Sequence, residues 1–434
     1  MKRTEIGKLK SGKEAIIHGW VETVRDQKSI MFVIIRDRSG MVQVTVKKEN
    51  VPDIAEKLVS AMPGSSTVVV RGNVVSAPNV KLGGIEIIPT NVEITSNGMT
   101  SPIDEDSGLD IRLDYRWIDL RDEKKRDWFT VQTIVMNAMR QYFVQNNFIE
   151  INTPKLTGHS TEGGAEVFEV KYFDRKVYLT QSPQLFKQMS IAAGFEKVFE
   201  FGACYRAEKS HTSRHATEFF ALDVELGFIK NDHCVMDVEE DMLKFVFKHV
   251  QKNCADIFER LGVPMPEFPK KRIPRITLLE AYNLLMKERG YAVPKASKGD
   301  LDPEGERLLC EISKEKYGSD FIFITNYPSS ARAFYIMRES NNNKITRGFD
   351  LLYRGVELTS GGMREHNAEA LCQNIRDKGM NPEDLEFYIQ FFEYGCPPHG
   401  GFALGYARLL AKMLNLSSIK DITFLFRGPD RIAP

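Results

Sequence analysis

FGACYRAEKSHTSRHATEFFALDVELGF, residues 201–228, has a strand-like stretch at each end and a polar middle. It reads as a long β-hairpin, with Arg206, Arg214 and His215 around its loop. Arginine suits a polyphosphate, because its planar fork donates to pairs of oxygens. The chain has no GxxxxGK[ST] loop and no GxGxxG after a strand. A phosphate site must therefore be made from side chains such as these rather than from a glycine-rich backbone cradle.

The flanks of the hairpin set the fold class. VFEVKYF and KVYLTQ precede it as strands, and a long helical stretch follows over 234–262. Residues 276–317 read as mainly helical, strands return at 321–326, 334–338, 347–359 and 401–405, and helices fill 365–379, 383–394 and 406–415. Upstream, Trp128, Val131, Val135, Ala138, Met139 and Tyr142 recur at helical spacing. This is an α+β domain on a large antiparallel sheet, not a regular βαβ alternation. Residues 15–96 differ: five Val/Ile-rich strands with one helix-like piece, VPDIAEKLVSAM, between the third and fourth. That order predicts an OB-fold β-barrel. Phe32, Arg36 and Gln43 alternate with core residues, so one open face offers an aromatic, a cation and an amide to unpaired bases. SNGMTSPIDEDSGL is polar with Pro and Gly and begins a linker. The expected organisation is 1–97 barrel, 98–126 linker or hinge, and 127–434 catalytic domain.

Composition narrows the class of function. The 434 residues are 42% hydrophobic and 27% charged, a soluble globular mix able to bury a core without staples. Lys+Arg and Asp+Glu both number 59, which excludes a strongly basic nucleic-acid coat and leaves only a local basic surface. The six cysteines are scattered with no CxxC pair, so neither a disulfide framework nor a zinc site is expected. MKRTEIGKLK has no apolar core and no apolar run reaches membrane-spanning length, so a cytoplasmic protein with no membrane partner is expected.

Three segments in order carry a family resemblance. NNFIEINTPKL (146–156, with Pro154), the 201–228 hairpin and GGFALGYARLL (400–410) resemble motifs 1, 2 and 3 of class II aminoacyl-tRNA synthetases. Together with the barrel segment HGWVETVRDQKSIMFVIIRDRSGMVQ they resemble the archaeal/eukaryotic aspartyl branch over essentially the whole chain. The resemblance implies ATP-dependent activation of L-aspartate to aspartyl-adenylate, then transfer to the 3′-terminal adenosine of tRNA(Asp). Use of tRNA(Asn) as a second acceptor is left open. It implies Arg206 and Arg408 as catalytic, with Arg206 bridging the α-phosphate and the amino-acid carboxylate. Glu208, Arg214, His215, Ala216, Phe219, Glu357 and Gly405 would complete the ATP site, Phe219 and Arg408 clamping the adenine. Gln184, Lys187, Ser360 and Arg364 would hold aspartate with Arg206, and Glu162 would close over its ammonium from the GHSTEGGAE loop. Asp223 would orient the cations. Asp350, Glu357 and Ser360 are hard oxygen donors suited to Mg²⁺. Phe32, Arg36 and Gln43 would meet the anticodon, and motif 1 would form a homodimer.

The alternatives are an asparaginyl enzyme, against which Lys187 argues, and a paralogue that no longer charges tRNA. The departures from the family pattern are specific. Ala403 replaces a motif 3 glycine, Ala407 replaces the acid before Arg408, and Met363 stands where glutamine is common. Glu22 stands where an aromatic or imidazole is usual. Losing an acid at 407 is expected to leave the Arg408 guanidinium without an orienting partner and to raise the KM for ATP.

Overall fold

The computed structural model describes residues 2–60, 65–158 and 166–434. The chain divides into two compact units, Met1–Glu123 and Lys124–Pro434.

In the first unit, the strands Glu14–Asp26, Ile30–Asp37, Gly40–Lys47, Thr67–Ser76 and Ile85–Ser96 close a barrel, with the helix Pro52–Ser60 between the third and fourth. Strict alternation fills it. Val33, Ile35, Val42, Val44, Val46, Val68 and Val70 are fully buried inside, while their neighbours in sequence face outward. Phe32 and Gln43 lie diagonally across the paired second and third strands, whose register sets Phe32 against Thr45 and Ile34 against Gln43.

Arg36 lies on the same side of its strand as Phe32 but is covered there. It is 3% exposed, ion-paired to Glu22 and set 5.3 Å from the Trp20 ring centre. The first strand slips register between Val21 and Thr23, and the bulged Glu22 reaches its partner there. The expectation of Arg36 as a free base-binding cation is corrected: an internal carboxylate already neutralises it.

The second unit is built on an eight-stranded sheet. In order its strands are Arg275–Thr277, Phe321–Thr325, Gly348–Tyr353, Val356–Met363, His399–Leu404, Glu218–Gly227, Lys197–Tyr205 and Ile149–Glu150. The two outermost strands pair in parallel and the six between them are antiparallel. The helix Glu123–Gln145 buries Val131, Val135, Ala138, Met139 and Phe143 at the expected spacing. The helix His233–Asn253 packs Met236, Leu243, Val246 and Phe247 into the same core, which extends through Phe199, Val224, Phe349 and Phe402 on the sheet.

Two expectations shift. The single strand expected over 347–359 is a hairpin, turned at Arg354 and Gly355, both with positive φ. Residues 334–336 form no strand and instead sit in a separate core with Leu371 and Tyr388.

Close backbone approach at the sheet centre demands glycine. A Cβ on Gly401 would lie 2.0 Å from the Val224 carbonyl oxygen and 2.3 Å from a Glu225 carboxylate oxygen. Gly401→Ala is expected to lower stability by about 1–3 kcal/mol, as overpacking in a core does. A denaturation midpoint equal to that of the wild type would show that the strand can move aside.

Candidate active site

The site is built on the Glu218–Gly227 strand, which is central and covered on both faces. Alternation in ALDVELGF puts Leu222, Val224 and Leu226 in the core and turns Asp223 and Glu225 to the other face. Opposite them, the helix Gln184–Ala192 buries Gln184, Lys187, Gln188 and Ile191 at i, i+3, i+4 and i+7.

Lys187 thereby reaches Asp223 Oδ1 at 3.0 Å, with Glu225 Oε2 at 3.4 Å. It also donates to the carbonyls of Val224 and Phe402 at 3.4 and 3.3 Å. An ammonium has three N–H donors, so these three hydrogen bonds occupy Lys187 fully. Arg364 directly follows the Val356–Met363 strand, two places away in the sheet beyond His399–Leu404. It grips Glu225 with two parallel bonds, Nε to Oε1 at 2.9 Å and Nη2 to Oε2 at 3.2 Å. Its other terminal nitrogen makes no hydrogen bond among the described residues. Burial alone would raise the Glu225 carboxyl, but Arg364 and Lys187 outweigh it and hold the group below its usual range. Two cations and two carboxylates thus neutralise one another where none could stand alone.

A second layer fixes this cluster. Gln184 donates to Gln188 Oε1 at 2.8 Å, as does the Tyr388 hydroxyl at 2.9 Å. Gln188 Nε2 meets His399 Nε2 at 2.8 Å. The other ring nitrogen of His399 lies 2.9 Å from the Pro397 carbonyl, which can only accept, so Nδ1 carries the proton and Nε2 accepts from Gln188. Burial lowers the His399 pKa to about 4, and the ring is neutral. Glu225, Gln188 and His399 were not singled out from the sequence. Only Glu225 carried a signal there, its two-residue spacing from Asp223.

Beside this cluster a cleft opens between the hairpin loop and the sheet. Arg206, Glu208, Phe219, Glu357, Ser360 and Arg408 line it, together with Arg214, His215, Ala216 and Gly405. Arg206 lies over the Phe219 ring at 5.5 Å and is open to solvent. Arg214 is not free: Glu306, on the helix Pro303–Tyr317, accepts from it at 2.7 Å. Burial, and then the Arg408 and Arg214 charges, lower the His215 pKa, while Thr212 and Ser210 hold its Nδ1. The loop is braced from beneath, since Ser213 O accepts from Ile419 N at 2.9 Å and Thr217 N donates to Arg427 O at 3.0 Å.

Arg408 corrects the expectation drawn from Ala407. Its Nη1 donates to the Glu357 carbonyl at 2.8 Å, and the Glu357 carboxylate lies 3.9 Å away. Glu357 supplies the orienting partner from another strand, while Ala407 packs against the core.

The three expected metal donors are not equivalent. Glu357 and Ser360 face the cleft. Burial and the like charges of Asp350 and Glu306 raise the Glu357 carboxyl, a strain that a divalent cation would relieve. Asp350 faces Ser360 across the strand pair, but Arg332 holds both its carboxylate oxygens and also donates to Ser360 Oγ at 2.9 Å. Glu357 and Ser360 therefore fit a hard cation, and Asp350 fits one only once Arg332 moves. Arg332 lies in an irregular stretch outside every motif, so no sequence pattern marked it. Glu162 lies outside the described residues.

The family model for class II tRNA synthetases (D, K and N) matches residues 108–427, and that for the OB-fold nucleic acid binding domain matches 15–95. The chain belongs to this class II synthetase family. Within it, the chain is 42% identical to the aspartate–tRNA(Asp) ligase of Pyrococcus abyssi, over 99% of this chain and 98% of that one. It is 39% identical to the aspartate–tRNA(Asp/Asn) ligase of Aeropyrum pernix, over 98% and 96%. The crystal structure of asparaginyl-tRNA synthetase from Pyrococcus horikoshii, complexed with asparaginyl-adenylate, superposes with a TM-score of 0.90 at 30% identity, covering all of both chains.

Two measurements follow from this geometry. Ala407→Glu is expected to leave the ATP KM no lower than that of the wild type and to depress the thermal midpoint. It adds a carboxylate near Glu357 where Arg408 is already held. A lower ATP KM would show that Arg408 lacks an orienting partner after all. His399 generates the second. Its folded pKa lies below the ordinary 6.5, so the unfolded chain binds the proton first. Its contribution to stability is present above pH 6.5 and is lost as pH falls toward about 4. Over that window His399→Asn should lose less stability than the wild type, as read by denaturant midpoints at each pH. Parallel acid limbs would remove His399 from the account.

Proposed function

We infer that the chain is an aspartate–tRNA ligase, and the observation that carries this is the buried Lys187–Asp223–Glu225–Arg364 cluster. Aspartate and asparagine are nearly isosteric, so only charge and hydrogen-bond polarity separate them. A guanidinium edge left open beside a fixed ammonium matches a carboxylate, and an amide there would leave donors facing donors. Arg364 makes the direct contact. Lys187 supplies the neighbouring charge, and reaches the substrate itself only by releasing a carbonyl.

Activation joins the aspartate α-carboxylate to the α-phosphorus of ATP and releases pyrophosphate. The carboxylate is already a nucleophile at neutral pH, so no general base is required. Catalysis lies in alignment and in stabilising charge on the phosphoryl oxygens. Arg206, open at the mouth of the cleft, meets both the α-phosphate and the incoming carboxylate. Neutral His215 and the Glu306-held Arg214 line the path of the polyphosphate. Phe219 and Arg408 stand on either side of the purine. Glu357 and Ser360 would hold the Mg²⁺ that accompanies ATP, and the ion would supply charge neutralisation at the pyrophosphate end of the nucleotide. The barrel face with Phe32 and Gln43 binds the anticodon. Gln43 is pre-set there by its 3.0 Å bond to Glu86. The protein works in the cytoplasm as a homodimer through the motif 1 segment, with tRNA(Asp) as acceptor.

ATP–pyrophosphate exchange tests the reading. Exchange should depend on aspartate, asparagine should not replace it, and Arg364→Gln should lower kcat/KM for aspartate by on the order of 3 kcal/mol, since it strands Glu225. Equal exchange with asparagine would overturn the assignment.

A further inference from the structure

Glu357 and Ser360 stand three residues apart on one strand, yet both line the cleft. In a regular strand residues i and i+3 face opposite sides. The ladder shows how the rule is broken. Leu351 pairs with Thr359 and Leu352 with Glu357, which leaves Leu358 unmatched on the Gly348–Tyr353 side. On the other side pairing stays regular, Thr359 to Leu404 and Ser360 to Ala403. This is a β-bulge, a device that re-aims side chains at active sites. It buries Leu358 and Thr359 together, Leu358 joining the core while also bordering the cleft, and leaves Glu357 and Ser360 with the solvent-facing surface.

The inward side is anchored by one polar contact. Thr359 Oγ1 donates to Glu239 Oε1, and Glu239 sits on the His233–Asn253 helix with no exposed surface. Its second oxygen has no hydrogen-bond partner among the described residues. No cation lies within ion-pair distance of it among those residues, whereas its helix neighbour Glu240 is paired with Arg275. A carboxyl placed in an apolar core for a single hydrogen bond is costly as a packing element. Leucine or methionine would fill the space better.

We propose that Glu239 is a positioning residue for the cleft: through Thr359 it locks the bulge that presents Glu357 and Ser360 side by side. The proposal rests on the reading of those two residues as the donors that meet the nucleotide-bound cation. It assigns to a residue in the core behind the sheet the job that outer partners perform at metal centres, that of fixing the direction of the donors. Burial raises the Glu239 carboxyl to about 8, in keeping with a neutral group that holds its place by hydrogen bonding and not by charge.

The test uses the full-length protein with a non-hydrolysable ATP analogue and Mn²⁺ as the probe, its affinity read by electron paramagnetic resonance. Aspartate affinity is read by calorimetry on the same samples. Thr359→Val removes the hydroxyl while keeping the shape, and Glu239→Ala removes its acceptor. Both are expected to weaken Mn²⁺ binding by roughly 10-fold, the lower end of what outer partners contribute. Glu239→Gln and Thr359→Ser keep a hydrogen bond and should stay close to wild type. Aspartate affinity should be unchanged in all four. If Glu239→Ala does not fold, Thr359→Val and the two conservative variants decide. A lowered thermal midpoint with wild-type Mn²⁺ affinity in Thr359→Val would reduce the contact to packing and overturn the proposal. Glu357→Gln is the control. If it weakens Mn²⁺ while Thr359→Val does not, this inference alone fails; if it has no effect, the reading of Glu357 fails with it.

Discussion

An ammonium and a guanidinium placed under a β-sheet must be neutralised where they sit, and the centre of the second unit is arranged around that requirement. Glu225 answers both cations at once, from the buried half of its strand. Gly401 then has to be a glycine, because it pairs with Glu225 on the adjacent strand and a Cβ there would meet that carboxylate. Gln188, Tyr388 and His399 bond to one another beside the cluster, and a neutral His399 follows from the lack of room for another charge. The specificity of the pocket and the packing of the sheet are therefore one problem with one solution.

The same logic runs along the cleft. Arg214 rests on Glu306, Arg332 on Asp350, and Arg408 on the Glu357 carbonyl. Each cation is aimed before a polyanion arrives, so little side-chain entropy remains to be lost on binding. Arg206, at the solvent edge over Phe219, has among the described residues only a distant 3.9 Å ion pair, with Glu208, and keeps its freedom to move. Held charges line the cleft and a mobile one stands at its mouth.

Much of this was legible in the sequence. The barrel, the amphipathic 123–145 helix and the central hairpin followed from period and turn chemistry, because each is a local pattern repeated over many residues. The residues that line the cleft were found because they cluster within short motifs. The partners of those residues were not. Glu306 for Arg214, Arg332 for Asp350 and Glu22 for Arg36 lie 92, 18 and 14 positions away, and no periodicity links them. Ala407 misled for the same reason: the orienting group for Arg408 had moved to another strand, which a comparison within the motif cannot reveal. The bulge at Leu358 was invisible as well, since nothing in GVELTSGG distinguishes a bulged strand from a regular one.

The tip of the central hairpin is tied down by residues far along the chain, with 205 positions separating Ser418 from Ser213. Its two strands can pair early in folding, since they are adjacent in sequence, but the loop between them must wait for a distant segment to arrive. Ordering thus comes in two stages. A refolding chain should regain its sheet, visible as backbone dichroism, before it can hold a nucleotide, and the interval between the two signals would measure how long the search for that distant brace takes.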